Sequence, residues 1–292
     1  MLSTLWGSGT LLESTEMDRQ RRIRAVVAMP VALMAFSTIK NYRESVLRVS
    51  EHLWRLGFAP RLVFHERNEA ESPRFAELLL SYRADLVVWF CPAPESETVT
   101  ARLADNGTRS VIIEGTFSSA LHRSYLVNRA SALLEGLTAW RHEGVASVAL
   151  VPNPGSSSNE QKTAVIESCL RAAGMPYAFY ATESGRLLKM LQAFSKKNEN
   201  AIIFSDSSVV AALGTRAPAA LGRLLRDSRV MLADGPLEMP AAVPSDSLVD
   251  VIGVNWELAA RWIGSDLMKP NVVPAEEPFT LEALWLPRVP VR

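Results

Sequence analysis

The sequence carries no excess of charge of either sign. Thirty-one lysines and arginines stand against 31 aspartates and glutamates, so the chain lacks the basic surplus of a free-standing nucleic-acid binder. Cysteine is nearly absent: Cys91 and Cys169 are too few for a disulfide framework or a structural zinc site. Both lie in apolar company and read as small buried hydrophobes of a reducing compartment. The four histidines, His52, His65, His122 and His142, are scattered with no metal-ligand spacing, and nothing in the sequence calls for a cofactor. No apolar run is as long as a membrane span. A Gly-x-Ser-x-Gly elbow with partner Asp and His is also missing, which argues against hydrolase chemistry. The opening MLSTLWGSGTLLESTEMDRQRRIR has no compact apolar core followed by a small-residue cleavage site, so no secretory signal is expected.

What is present is the composition of a globular protein, 48% apolar and 21% charged, over 292 residues. That length suggests two domains or one bilobed body. The most informative stretch is 145–174, VASVALVPNPGSSSNEQKTAVIESCLRAAG. It reads as a buried strand, a loop of Pro, Asn, Gly and Ser, and a helix. Two overlapping capping boxes, Ser157 with Glu160 and Ser158 with Gln161, mark the helix start. Ser158 and Lys162, four apart, share one face of its first turn, beyond the carboxyl end of the strand, where open α/β sheets bind ligands.

Before it, short apolar runs alternate with helical patterns from Ile23 to Ile113; after a looser passage through His122 and Tyr125, the same rhythm begins again near Ser147 and lasts to Leu232. Alternation of strand and helix predicts α/β architecture with parallel sheets, and its repetition predicts two similar lobes with a cleft between their carboxyl edges. Gly7-Ser8-Gly9-Thr10 lacks the Lys-Ser/Thr pair of a phosphate loop and reads as a hairpin turn. The tail from Asn271 holds Pro274, Pro278, Pro287 and Pro290, so it should be extended and pack through Phe279, Leu284, Trp285 and Leu286. Trp54, Trp140 and Trp262 fall at apolar helix positions expected to be core or dimer contacts.

Several pieces together resemble the effector-binding domain of the LacI/GalR repressor family, which has the type I periplasmic-binding-protein fold. They are RIRAVVAMPVALMAFSTIKNYRESVLRVSEHLWRLGF, SVIIEGTF, ALLEGLTAWRHEGVASVALVPNP, AIIFSDSSVVAALG and DVIGVNWELAARWIGSDLM, spanning roughly residues 23 to 270. The resemblance implies a small, sugar-like effector held between the lobes, a homodimer, no membrane association and no catalysis. It places Phe36, Glu114, Ser158, Lys162, Asp206, Asp234 and Asn255 around the ligand. By its chemistry an aromatic such as Phe36 or Trp89 can cover the apolar face of a sugar ring, and the face that Trp89 takes in its strand is left open. It divides the chain into an N-terminal lobe, 23–126, completed by about 256–292, and a C-terminal lobe, 127–255.

The departures are specific. Lysine stands at 162 where the family commonly has arginine, and it cannot make arginine's planar two-pronged bond. The family's Asp before the middle helix is replaced around Asn128 and Arg129, and Asp234-Gly-Pro-Leu-Glu is unlike the family's usual turn. The repressor family's helix-turn-helix has no room in residues 1–22; LSTLWGSGTLLES there is similar to the end of the wing in a GntR-type winged helix. The expectation is therefore a cytoplasmic transcription regulator truncated before residue 1, contacting operator DNA through a module outside this chain. The alternatives are the solute-binding protein of a sugar transporter and a sugar-processing enzyme. In the last, Glu114, Asp206 and Asp234 would supply acid and base.

Overall fold

The computed structural model describes residues 2–4, 10–12, 23–30, 40–66, 72–92, 94–115, 123–153, 157–182, 186–196, 200–235, 248–268 and 278–290. A small antiparallel pair, β1 (Leu2–Thr4) and β2 (Thr10–Leu12), forms a sheet of its own. Of the Gly-Ser-Gly-Thr turn read between them, residues 7–9 lie outside the described residues.

The first lobe contains β3 (Ile23–Pro30), α1 (Lys40–Arg55), β4 (Phe58–His65), α2 (Pro73–Ser81), β5 (Leu86–Phe90), α3 (Glu97–Asp105), β6 (Arg109–Ile113) and β7 (Arg123–Asn128). The second contains α4 (Ala130–His142), β8 (Ser147–Val151), α5 (Ser157–Ala172), β9 (Tyr177–Phe179), α6 (Leu187–Ser195), β10 (Asn200–Phe204), α7 (Ser207–Arg216), α8 (Pro218–Asp227), β11 (Arg229–Leu232) and β12 (Leu248–Gly253). The chain then returns to the first lobe as α9 (Trp256–Leu267) and β13 (Phe279–Glu282), and ends as β14 (Leu284–Pro290) in the second.

Each lobe has a six-stranded sheet, ordered β13-β7-β6-β5-β3-β4 in one and β14-β12-β11-β10-β8-β9 in the other. All the pairings in them are parallel except β12 with β14. The sequence explains why both faces are covered. In β3, Ala25, Val27 and Met29 pack on one side and Val26 and Ala28 on the other; in β8, Val148 and Leu150 face opposite to Ala149 and Val151. A strand buried on both faces needs an uninterrupted apolar run, which these are.

Two parts of the topology depart from the sequence reading. Residues 123–128, taken as part of a loosened passage, form β7 between β6 and β13. Its Arg123 is tied from afar, lying over the Phe279 ring and forking onto Asp266 of α9 with bonds of 2.7 Å. The proline-rich tail packs through Phe279, Trp285 and Leu286, whereas Leu284 is exposed; it forms two strands, the second of which joins the second lobe and not the first, with Pro287 in an edge strand, where a missing N–H is tolerated.

The chain passes between lobes three times: at Asn128–Ala130, at Val254–Asn255 and at Ala283. Two of these passages are bonded together, Ala283 N donating to the Asn128 carbonyl (3.0 Å) and Asn128 Nδ2 to Glu282 (3.1 Å). The helix leaving the second passage, α9, packs on α1, where a Cβ built on Gly264 would meet His52 and Leu56 side-chain atoms at 2.5 and 2.6 Å. Gly264→Ala should therefore cost about 1–3 kcal/mol in urea unfolding through overpacking; an unchanged midpoint would show that the two helices separate freely. Among the described residues no helix is long and apolar enough to cross a membrane.

Candidate functional site

In a parallel sheet the loops after the strands all emerge at one edge, and here those edges bring together charged residues distant in sequence. Glu114 follows β6, Arg129 follows β7, Asp206 follows β10, Asp234 follows β11, and Lys162 lies on α5 beyond β8. Arg129 forks onto Glu114, with bonds of 2.8 and 2.9 Å, and reaches Asp234 at 3.2 Å. Lys162 donates to the other oxygen of Asp234 and stands 3.6 Å from Asp206. The side chains of Arg129, Glu114, Lys162 and Asp234 are only 9, 10, 11 and 2% exposed, so this chain of ion pairs runs from one lobe to the other out of bulk solvent.

The surrounding backbone holds it in place. Asp206 caps α7, its carboxylate accepting from Ser208 N at 2.7 Å, and Ser207 N donates to the Asp234 carbonyl at 2.9 Å. Asn153, in the loop after β8, donates from its backbone to Ser205 Oγ and from its side chain to Ser208 Oγ. Glu114 adopts φ +57° and Cys91, just after β5, φ +46°, a left-handed conformation that strains residues with a Cβ. Both kinks are anchored by their N–H groups, Glu114 to Tyr125 O and Cys91 to Ile113 O.

Burial alone would raise the carboxyl pKa values of Glu114 and Asp234. The Arg129 and Lys162 charges outweigh it and hold both below the ordinary range. Burial likewise favours a neutral Lys162, but Asp234 and Asp206 raise its ammonium above the usual lysine value. Glu114, Asp234 and Lys162 are thus ionised at neutral pH.

Beside the cluster lies a cavity of about 240 Å³ whose wall includes Glu114, Arg129, Lys162 and Gln161 together with apolar Leu126 and Val165. Charged donors and acceptors on one side and apolar carbon on the other suit a small amphipathic molecule with hydroxyl groups. Among the described residues no group of three or more potential metal ligands is assembled.

The structure brings together Glu114, Lys162, Asp206 and Asp234 from the sequence expectation. Asn255 stands apart from them: it is exposed and caps α9, its side chain accepting from Leu258 N at 3.1 Å. Phe36 lies outside the described residues. Ser158 is on the first turn of α5, but its side chain, like that of Ser157, lies outside them, so the two capping boxes do too. Trp89 is no ligand platform, because it is buried between the first sheet and Phe75 and His65, its indole N–H on Ser110. Trp140 is core, donating to buried Asp250, whereas Trp262 is 59% exposed on α9. Arg129 was noticed in the sequence only as a departure. Its place directly after a strand was hidden because β7 itself was not legible.

No protein-family model matches the chain, and no curated protein sequence does. Solved structures do match in fold. The lac repressor dimer bound to operator and an anti-inducer is 15% identical over 94% of this chain and 96% of its own, with a TM-score of 0.68. A periplasmic binding protein/LacI transcriptional regulator from Alkaliphilus metalliredigens, complexed with D-xylulofuranose, is 14% identical over 92% and 99%, with a TM-score of 0.62. The solute-binding protein of a 5-methylthioribose transporter from Thermotoga lettingae, in complex with that sugar derivative, is 14% identical over 92% and 86%, also at 0.62. The chain therefore has the two-lobed, periplasmic-binding-protein-like α/β fold shared by LacI-type regulators and solute-binding proteins.

Proposed function

We propose that this chain is the effector-binding and dimerisation part of a transcription regulator, sensing a sugar or sugar derivative between its lobes. The observation that carries the reading is the buried array of Glu114, Arg129, Asp234, Lys162 and Asp206 at the facing strand edges, next to a cavity of about 240 Å³. The cavity wall takes Leu126 and Val127 from one lobe and Gln161 and Val165 from the other, so a ligand there favours one lobe arrangement over another. Such differential affinity would be relayed to DNA-binding modules attached to a homodimer. The lobes are assigned to residues 23–128 with 256–282 and to residues 130–255 with 284–290, the last strand joining the second sheet; the first 22 residues are assigned to a linker and the wing of a DNA-binding module.

A solute-binding protein of a sugar transporter is the second reading, since proteins of that kind share the fold. The separate sheet of β1 and β2 favours the regulator, because a strand pair outside both six-stranded sheets suits part of another module. The sequence of the gene upstream of Met1 distinguishes them: a winged helix supports the regulator and a secretory signal the transporter protein.

The site itself is tested by thermal-shift screening with pentoses, hexoses and their derivatives. A ligand at 100 times its Kd stabilises the folded state by about 2.7 kcal/mol. Once a ligand is found, Lys162→Ala should weaken its binding, measured by calorimetry, by about 1.5–3 kcal/mol, the usual worth of a hydrogen bond to a charged group. Unchanged affinity would remove Lys162 from the site.

A further inference from the structure

We propose that the outer face of α9 is a twofold contact between two copies of this chain, in which the helix lies antiparallel to itself and Leu258 and Trp262 of each copy pack on those of the other. This rests on the homodimer of the reading above and gives it a surface, and it does not depend on the effector.

Apolar side chains exposed singly are ordinary on a protein surface. These two are not single. Leu258 and Trp262 are 58 and 59% exposed, the highest values among the exposed large hydrophobic side chains of the described residues, and they stand four apart on one face of one helix. The other face of α9, with Ala259, Ala260, Ile263 and Leu267, is buried in the core, so the helix cannot rotate to hide them. Tryptophan is also the residue type most concentrated at the energetic centres of protein contacts, where its large apolar body leaves water.

The order of charges along the same helix selects a second copy over an unrelated partner. Glu257 and Arg261 are exposed and flank the apolar pair on one side of it. A twofold axis passing near Ala259 and Ala260 sets Leu258 against Trp262 of the other copy, and Glu257 against Arg261 of the other copy, each contact occurring twice. A patch that fits itself in this way meets the condition for an isologous interface. Within one helix Arg261 donates to Glu257 at 2.6 Å, but an exposed pair of this kind contributes little, so opening it into a four-charge network costs little. Helix α1 lies alongside, Arg48 3.9 Å from Glu257, and its exposed Arg48 and Glu51 continue the face as a charged rim. With 12 residues α9 is about 18 Å long, so this second helix is needed to approach the roughly 800 Å² per partner of a stable contact.

The test is the association state of the complete chain, read by sedimentation equilibrium over a concentration series. The wild type is expected to be a dimer at micromolar concentration. Leu258→Ala should raise the dimer dissociation constant by about tenfold and Trp262→Ala by about 30-fold or more, both with an unchanged circular dichroism spectrum. The direction of pairing is read from charge. Glu257→Arg and Arg261→Glu should each weaken the dimer by about tenfold, since each sets like charges opposite one another. An equal mixture of these two variants should recover association, because each copy then brings the charge that the other lacks.

A wild type that stays monomeric through the series overturns this surface together with the homodimer, and leaves the ligand site to its own thermal-shift test. A dimer that neither alanine variant weakens overturns the surface and leaves the homodimer standing. Alanine variants that weaken the dimer, with a charge mixture that recovers nothing, overturn the antiparallel pairing.

Discussion

Replacing Arg129 with methionine should lower the stability of the protein by about 3–5 kcal/mol, the usual result of removing one partner from a buried ion pair. The size follows from what is left behind. Glu114 and Asp234, with side chains 10 and 2% exposed, would lose their shared cation, while Asp234 keeps its bond to Lys162. Hydrophobic packing of the methionine stem recovers little, because the cost lies in two poorly solvated carboxylates. Arg129→Lys should lie between wild type and methionine, since an ammonium keeps the charge but cannot bridge both oxygens of Glu114 while reaching Asp234. The double variant Arg129→Met with Glu114→Met should be more stable than Arg129→Met alone, as removing both partners leaves one fewer orphan charge. Urea titrations of the four proteins decide this. A methionine variant within about 0.5 kcal/mol of wild type, the range of an ordinary surface substitution, would mean that the cluster is hydrated and open.

The second large effect is on pH dependence. Glu114 and Asp234 have folded pKa values below those of the unfolded chain, about 4.3 for glutamate and 3.9 for aspartate. Such groups contribute stability that is fully present above the unfolded pKa and is lost as pH falls through the depressed folded value. Lys162 is the opposite case. Its folded pKa lies above the unfolded value near 10.4, so its contribution is present below that pH and fades as pH rises through the folded value. The urea midpoint should therefore be level around neutrality and fall in acid below about pH 4.

The Arg129→Met protein supplies the control. Without the guanidinium the main opposition to burial at Glu114 is gone and its carboxyl pKa rises, so protonation of Glu114 opposes folding less, while Asp234 keeps Lys162. The stability gap between wild type and variant should narrow steadily as pH falls from 7 to 4. Parallel curves across that range would show that the carboxylates titrate independently of Arg129, and the ionic account of the seam would fail.

How much of this was legible in the sequence depends on the range over which each feature is decided. The strands buried on both faces are local in origin: AVVAM, LVVWF and VALV have no polar residue to set outward, and such runs are stable only between two layers. Lys162 could be placed because the strand, the loop and the helix that carry it are contiguous. Glu114, Asp206 and Asp234 could be placed because each directly follows an apolar strand, and strand ends of one polarity gather at one edge.

What chain order could not show is every feature that depends on a partner far away. Strand β7 has the sequence RSYLVN, with no local pattern of its own. It exists because β6 and β13 flank it and because Arg123 meets Asp266, 143 residues on. The same holds for Arg129, whose partners are 15 and 105 residues away. The sequence by itself determined two α/β layers and the edges at which they would meet, since burial of apolar strands is a short-range property of composition. Only the tertiary structure decided which charges touch across those edges, because an ion pair is set by distances of a few ångströms that chain order does not contain.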